Sequence, residues 1–235
     1  MKIELCDLVL ERSGGILAID GVSYVFDSER ASAVAILGAN GAGKSTLLES
    51  IPGLVPIRSG SIRVDGINVE KRHYPAIRAK VGMIFQNSDD QLFNHTVGED
   101  VAFGPRNLNL PPEEVTVRVN EALAMLGIAH LAARDVMRLS GGEKRRAALA
   151  GVLAMKPEAI LLDEPTSMLD PRACRELADS LEMLPALKLI ATHDLAFAER
   201  VCSECLVLQE GRIVASGKID ALLKRHDFLR ECGLE

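Results

Sequence analysis

A glycine-rich run that ends in Lys-Ser constrains the fold of this 235-residue chain more than any other feature. It follows an apolar stretch, Ala33 to Leu37, and it opens a short helical pattern that Pro52-Gly53 ends. In a strand–loop–helix unit, backbone N–H groups of such a loop point inward and bind the β- and γ-phosphates of a nucleotide. Lys44 adds a positive charge, and the Ser45 hydroxyl suits Mg²⁺. The run reads Gly38-Ala39-Asn40-Gly41-Ala42-Gly43-Lys44-Ser45, with Thr46 next.

A pair of acids follows a second apolar strand downstream. Ala159 to Asp163 is predicted to be a strand, so the Asp163 carboxylate emerges at its C-terminal end, where ligands bind in parallel sheets. Asp163 is therefore predicted to hold Mg²⁺, directly or through water. Glu164 comes next, and the turn Pro165-Thr166-Ser167 after it favours a site over a pair of solvated surface charges.

A third motif, Leu139-Ser140-Gly141-Gly142-Glu143, lies between the first two. Ser140 is suited to cap a helix that starts here, and we expect the helix N-terminus to be unblocked by side chains. Its free N–H groups carry about half a positive charge. The alternative is an ordinary capped helix without a ligand.

Composition limits the classes of protein that remain. The hydrophobic share of 48% predicts one globular domain at this length. The net charge of -6, with six Phe, two Tyr and no Trp, argues against a nucleic-acid binder. No apolar run approaches the roughly 18–20 residues of a membrane span, so no direct membrane insertion is expected. The start Met1-Lys2-Ile3-Glu4 shows no secretory leader, and we expect a cytoplasmic protein.

The cysteines and histidines predict no metal centre. Cys202 and Cys205 have C-x-x-C spacing, but no second pair or nearby His completes a zinc site. A thioredoxin-like context is also absent. We interpret the pair as two reduced thiols where a helix passes into a strand.

The remaining pattern alternates strands and helices. Ile3 to Leu10 and Val22 to Phe26 are predicted strands, and Ser61 to Val64 and Val81 to Ile84 are shorter ones. Residues 105 to 138 are predicted to be helical, with a helix start at Pro111-Pro112-Glu113-Glu114. From residue 159 onward the alternation implies a parallel sheet with right-handed crossovers.

Taken together, the three motifs resemble the ATP-binding-cassette (ABC) ATPases over nearly the whole chain. The resemblance implies an α/β P-loop NTPase fold with a RecA-like parallel sheet core. It also implies an antiparallel β-subdomain and an α-helical subdomain. We expect a single domain over 1–235, with residues 1–37 mainly in the β-subdomain and first core strands. Residues from about 87 to 150 would form the helical subdomain, and the remainder the core.

The same resemblance assigns roles to individual residues. Glu164 would polarise the attacking water, Gln86 would sense Mg²⁺ and water, and His193 would contact the γ-phosphate. Asp170, in Ser167-Met168-Leu169-Asp170, would belong to a loop that crosses a dimer interface. Ser140, Gly141, Gly142 and Glu143 would meet the γ-phosphate of ATP held by the other subunit, much as an arginine finger does. Glu143 replaces the Gln that is usual in the family.

Arg12 marks a departure from the family. An aromatic residue usually stacks on adenine some six residues before the segment Ala18 to Gly21, and Arg12 occupies that place here. A guanidinium plane can also stack on a base. Adenine binding is therefore expected to survive, while selectivity for the base is left open.

The segment from Gln86 to Pro105 resembles the energy-coupling-factor and cobalt/nickel importer branch of the family. There this surface receives a helix of a transmembrane partner, and Leu92, Phe93 and Val97 are its expected exposed apolar residues. The resemblance implies an ATPase on the cytoplasmic face of the cell membrane, working as a homodimer or heterodimer. A soluble ABC ATPase for cluster assembly, repair or translation is the alternative. An unrelated P-loop kinase would have no use for the third motif.

Overall fold

A computed structural model describes residues 1–12, 14–167 and 169–234. Its central sheet has the strand order β10-β9-β3-β8-β7-β6. All neighbours in this sheet run parallel except β10, which pairs antiparallel with β9 at one edge. The predicted parallel core is confirmed. The strands are β3 (Ala33–Leu37), β6 (Val81–Ile84), β7 (Ala159–Asp163), β8 (Leu187–Thr192), β9 (Glu204–Gln209) and β10 (Arg212–Lys218).

A second, antiparallel sheet has the order β2-β1-β4-β5. It extends beyond the predicted boundary at residue 37, because two later strands join it. Ile62 and Val64 of β4 are buried in the same apolar core as Ile3 and Leu5 of β1, which explains why β4 pairs here. The strands are β1 (Lys2–Arg12), β2 (Ile16–Asp27), β4 (Ile57–Val64) and β5 (Ile67–Asn68).

Helices cover the central sheet on both sides, so its middle strands are buried. All five residues of β3 are buried, with Ala35 and Leu37 in one core and Val34 and Ile36 in the other. This division follows from the alternation of side chains across a strand. The helices are α1 (Lys44–Ser50), α2 (Tyr74–Lys80), α3 (Val97–Asn107), α4 (Pro112–Met125), α5 (Gly141–Leu153), α6 (Pro171–Glu182), α7 (Leu195–Val201), α8 (Ile219–Leu223) and α9 (His226–Glu231).

The first helix of the helical region begins before residue 105, where helical structure was predicted to start. Helix α3 starts at Val97, because Thr96 and Glu99 form a capping box in which each side chain bonds the other residue's backbone N–H. Pro105 lies inside this helix near its C-terminal end. Within the part of the chain that the structure describes, no helix is long and apolar enough to cross a membrane.

Candidate functional site

Four segments meet at the carboxyl edge of the central sheet. Parallel pairing brings the ends of β3, β8 and β7 into register, and β6 lies beside β7. Loops that follow parallel strands start side by side, and this is where ligands bind in α/β sheets. The glycine-rich loop follows β3, Glu164 follows β7, His193 follows β8, and Gln86 comes two residues after β6.

The loop between β3 and α1 has the conformation of a phosphate loop. Gly43 has φ +104°, and a Cβ at this position would collide with the carbonyl oxygen of Ala18, so only glycine fits. The Lys44 ammonium is buried and donates to the carbonyl oxygens of Gly38, at 2.7 Å, and Ala39, at 3.3 Å. The ammonium is therefore held against the backbone of its own loop, where it can bind phosphate oxygens.

Glu164 lies at the centre of the polar contacts at this edge. Its carboxylate is 3.4 Å from the Lys44 ammonium and 3.0 Å from Nδ1 of His193. The Thr192 hydroxyl donates to the same carboxylate at 3.2 Å. Glu164 is buried, whereas His193 is exposed. A buried carboxylate held by an ammonium, a hydroxyl and an imidazole is suited to accept a proton from a water molecule.

Asp163 is buried beside Glu164 and is incompletely paired. Its side chain is hydrogen-bonded to that of Ser45, while Oδ1 has no hydrogen-bond partner among the residues that the structure describes. Burial raises the pKa of Asp163, aided by the charge of Glu164 and opposed by Lys44 and Arg145. A buried carboxylate oxygen without a donor, next to a serine hydroxyl, fits a hard divalent cation such as Mg²⁺.

Gln86 lies on an exposed turn after β6. It lines a cleft of about 220 Å³ together with Gly141, Lys144 and Ser167. The cleft joins the start of α5 to the turn after Glu164, so the sequence-predicted residues Gln86 and Gly141 lie along one opening.

The N-terminus of α5 is capped by a complete capping box, which corrects the expectation that no side chain blocks it. The Glu143 carboxylate accepts from the backbone N–H and the hydroxyl of Ser140, both at 2.7 Å. These bonds lower the pKa of Glu143, with help from Arg134. Gly141 and Gly142 have open space around them. A negative charge therefore lies at the helix end that the sequence analysis assigned to a phosphate.

Asp170 is the N-cap of α6. Its carboxylate accepts from the backbone N–H groups of Arg172, at 2.9 Å, and Ala173, at 2.8 Å, and these bonds lower the pKa of Asp170. Asp170 also lines a surface cleft with Ser140 and Gly142. Met168, in the loop before it, lies outside the described residues.

Arg12 ends β1 next to the phosphate loop. Its Nε donates to the Thr46 hydroxyl at 2.6 Å, and its charge acts on the nearby carboxyl of Glu49. Thr46 is buried in the first turn of α1. The guanidinium is therefore placed against the helix that follows the phosphate loop.

An apolar groove of about 400 Å³ separates the central sheet from the helical region. Phe93 is 62% exposed there, and its ring contacts that of Phe103 edge-on, with centroids 4.8 Å apart. One expectation for this surface was wrong, because Val97, the first residue of α3, faces the core and is fully buried. Leu92 is partly exposed and lines the groove. Phe103, which is 46% exposed, contributes a second aromatic ring beside Phe93.

The two thiols of the C-x-x-C pair are buried. Burial raises the pKa of Cys202 to about 12 and that of Cys205 to about 11, so both thiols are protonated at neutral pH. Among the described residues, no cluster of three or more His, Cys, Asp or Glu side chains forms a metal site. The burial of the two thiols agrees with the interpretation as reduced structural thiols.

The phosphate loop and the carboxylates opposite it define the nucleotide site of a P-loop ATPase, and comparisons with known proteins narrow that class. The model of the ABC transporter family matches residues 23–167. An energy-coupling factor transporter ATP-binding protein of Methanoculleus marisnigri is 40% identical over 237 residues, which cover 99% of this chain and 85% of the relative. The chain thus belongs to the ABC transporter family, as an ATP-binding subunit with ATPase activity.

Two solved structures have the same fold. The cbiO1 protein of Clostridium perfringens, described as part of the ABC transporter complex cbiONQ, superposes with a TM-score of 0.85 at 34% identity, covering 99% of this chain and 94% of that one. A dimeric ATP-binding cassette in a post-hydrolysis state with ADP and phosphate has a TM-score of 0.82 at 26% identity, covering 92% and 98%. The predicted fold class and the ATPase activity are confirmed.

Two residues of the site were missed from the sequence. Phe103 falls at helical spacing after the capping box at Thr96, a signal that would have placed it on α3 beside the groove. Arg145 is buried between the segment that follows β6 and the segment that follows β7. Nothing in the run Glu143-Lys144-Arg145-Arg146 distinguishes it from its partly exposed neighbours, because three consecutive charged residues after the motif are typical of a solvated face.

Proposed function

We propose that this chain is the ATP-hydrolysing subunit of a multi-subunit membrane importer for a transition-metal ion (cobalt or nickel) or a vitamin. Closure of an ATP-bound dimer would power uptake. The observation that carries the importer assignment is the aromatic groove at Phe93 and Phe103, next to the catalytic turn. The named relatives, an energy-coupling factor ATP-binding protein and a part of the cbiONQ complex, support the same branch.

In this proposal the hydrolytic site is shared between two chains. The phosphate loop, Gly38 to Thr46, binds ATP in one subunit, with Arg12 alongside. Ser140, Gly141, Gly142 and Glu143 of the other subunit approach the γ-phosphate, and Asp170 lies in the loop that crosses the interface. Glu164 is the general base, and His193 and Gln86 complete the catalytic set. The partner subunit is a second copy or a related ATPase.

The proposed metal ligands are Ser45, Asp163 and Gln86, with Asp163 acting through water. The partnerless Oδ1 of Asp163 and its hydrogen bond to Ser45 support this assignment. Bound Mg²⁺ would neutralise charge on the β- and γ-phosphates of ATP. Ser45 and Asp163 would orient it, because both lie at the carboxyl edge of the central sheet, Ser45 in the first turn of α1 and Asp163 at the end of β7.

The groove is the proposed contact with an integral membrane subunit, which would hold the chain at the cytoplasmic face of the cell membrane. Asp100 Oδ1 accepts from the backbone N–H groups of Phe93 and Asn94, so it fixes the segment that presents the aromatic ring. Asp100 Oδ2 is buried without a partner among the described residues. A partner helix seated here would meet an apolar surface whose aromatic segment is held in place by Asp100.

Replacing Phe93 and Phe103 together with Ala should weaken assembly with the membrane subunit while leaving basal ATPase activity within about twofold. The two rings are apolar anchors worth about 1–3 kcal/mol in total at such an interface. The measurements are the fraction of tagged chain retained in washed membranes of its native host, and uptake of cobalt, nickel or vitamin. Met183→Ala, which removes an exposed apolar side chain on α6's C-terminal side, is the control. Normal retention and uptake in the double variant would show that the membrane subunit contacts another surface, and the importer assignment would lose its main local support. A parent chain that is absent from the membranes would favour a soluble ABC ATPase.

Replacing Glu143 with Gln should strengthen ATP-dependent dimerisation by roughly two- to fivefold, since a charge at a helix end is worth about 0.3–1 kcal/mol. Glutamine keeps the acceptor that caps Ser140 but removes the negative charge facing the partner's γ-phosphate. Sedimentation with Mg²⁺-ATP, in a variant that cannot hydrolyse it, measures the effect. Glu99→Gln, the same change in the capping box of α3, is the control. Equal dimerisation of both variants and the parent would contradict the placement of Glu143 at the phosphate.

A further inference from the structure

A buried arginine connects the helical region to both catalytic segments. Arg145 lies in the second turn of α5 and is only 4% exposed. Its Nη1 donates to the carbonyl oxygen of Phe85 at 2.5 Å, and its Nη2 donates to that of Glu164 at 2.7 Å. One guanidinium therefore bonds the backbone after β6 and the backbone after β7 at the same time.

The two carbonyls adjoin the residues to which catalysis is assigned. Phe85 immediately precedes Gln86, and the second carbonyl belongs to Glu164 itself. Both segments are loops that follow parallel strands, so no strand pairing fixes their backbones. The arginine supplies bonds at these two points, and it supplies them from α5, whose N-terminus carries Ser140 and Gly141.

The backbone of Glu164 needs such support. Its φ is +43°, a left-handed conformation that side-chain-bearing residues rarely adopt. Pro165 follows and further restricts the conformation of residue 164. The backbone N–H of Glu164 donates to the carbonyl oxygen of Ala191 at 2.8 Å, and Arg145 holds its carbonyl. Bonds on both sides of the residue thus keep a strained backbone in one conformation and direct the carboxylate to Lys44.

A guanidinium fits this role better than the ammonium of lysine does. It presents N–H groups in a fixed planar fork, so it can bridge two carbonyls that belong to different segments. A lysine ammonium is a single point charge on a flexible stem and would reach one carbonyl well at most. Burial lowers the pKa of Arg145 and the charge of Asp163 opposes this, so the cation is retained beside the two acidic residues.

We propose that Arg145 is a positioning residue that holds Gln86 and Glu164 in register and transmits movement of α5 to them. If α5 shifted when the proposed dimer closes, this side chain would move both catalytic segments together with the helix. The proposal rests on the proposed function in one respect, since it takes Glu164 as the general base.

The test compares Arg145→Lys and Arg145→Gln with the parent in the full-length chain. We expect kcat to fall by roughly 10- to 100-fold, because displacing a catalytic group by about 1 Å can cost that much. KM for ATP should stay within about threefold, since the phosphate loop is untouched. Arg118→Lys is the matched control, because Arg118 is also largely buried and donates to a main-chain carbonyl, that of Met155, far from the site. Thermal unfolding shows whether each variant folds, and either folded variant suffices.

A double-mutant cycle separates positioning from a structural role. If Arg145 acts partly through Glu164, then Arg145→Lys should lower the residual single-turnover rate of Glu164→Gln by a smaller factor than it lowers the rate of the parent, because only its effect through Gln86 remains. A further loss as large as the loss in the parent, or an unchanged kcat in the single variants, would overturn the proposal. If Glu164→Gln itself retained normal hydrolysis, the base assignment under the proposed function would fail instead, so the two failures are distinguishable.

Discussion

Replacing Glu164 with Gln is expected to slow ATP hydrolysis by about 100-fold or more while leaving ATP binding intact. General-base catalysis contributes typically about 10²–10⁴-fold, and glutamine cannot accept the proton of the attacking water. The substitution keeps the shape of the side chain and its acceptor for the Thr192 hydroxyl. It removes the negative charge that pairs with Lys44 at 3.4 Å, so the ammonium is freed for phosphate oxygens.

Because the chemical step is blocked, the variant should accumulate as an ATP-bound dimer. Light scattering with Mg²⁺-ATP measures the dimer, and phosphate release measures hydrolysis, with the related ATPase added if the pair is heteromeric. Glu158→Gln is the control, since Glu158 is an exposed acid at the opposite end of the same strand, where it pairs with Lys80. A population that stays monomeric under all these conditions would contradict the shared site.

The elements that carry the phosphate site could be predicted from sequence because each is specified locally. A buried parallel strand reads as a continuous apolar run, and helix starts carry their own capping residues. Strands β6 and β7 therefore have the predicted bounds. The loop at Lys44 requires glycine at strained positions, which the sequence shows directly. Local signals of this kind explain why the order of elements around the site could be predicted from the sequence.

Features that depend on contacts between distant segments could not be predicted from the sequence. The membership of β4 in the antiparallel sheet depends on pairing with β1, whose paired residues lie 47 to 61 positions earlier in the chain. Val97 was expected on the surface because an apolar residue at the start of a helix gives the same pattern whether it faces the core or the solvent. Its burial depends on how α3 packs against α4 and α5. The contact of Glu143 with Ser140 is different, because it is local and the spacing S-x-x-E already signals it.

The second prediction with a large expected effect concerns the buried Asp163. Asp163→Asn should reduce Mg²⁺-dependent hydrolysis by about 100-fold or more, because a metal ion supplies several kcal/mol of charge stabilisation and each 1.4 kcal/mol is about tenfold. The same change should stabilise the nucleotide-free protein. Burial outweighs the attraction of Lys44 and Arg145 and raises the pKa of Asp163, so the ionised form opposes folding at neutral pH. At a pH above the pKa of Asp163 in the folded state, this destabilisation by the ionised carboxylate is fully present. Asparagine carries no charge and therefore removes it.

The expected gain is about 1 kcal/mol, or roughly 2–4 °C in Tm for a domain of this size. Differential scanning calorimetry without nucleotide measures it. In the parent, ATP should raise Tm more with Mg²⁺ than with a chelator, whereas in Asp163→Asn the two shifts should be equal. Ser45→Ala is the control, because it removes a neutral ligand and should lose the Mg²⁺ response without gaining stability. A lower Tm for Asp163→Asn would show that the carboxylate stabilises the fold and would contradict the prediction. A higher Tm together with a lost Mg²⁺ response would show that the chain gives up folding stability to keep a charged metal ligand in place.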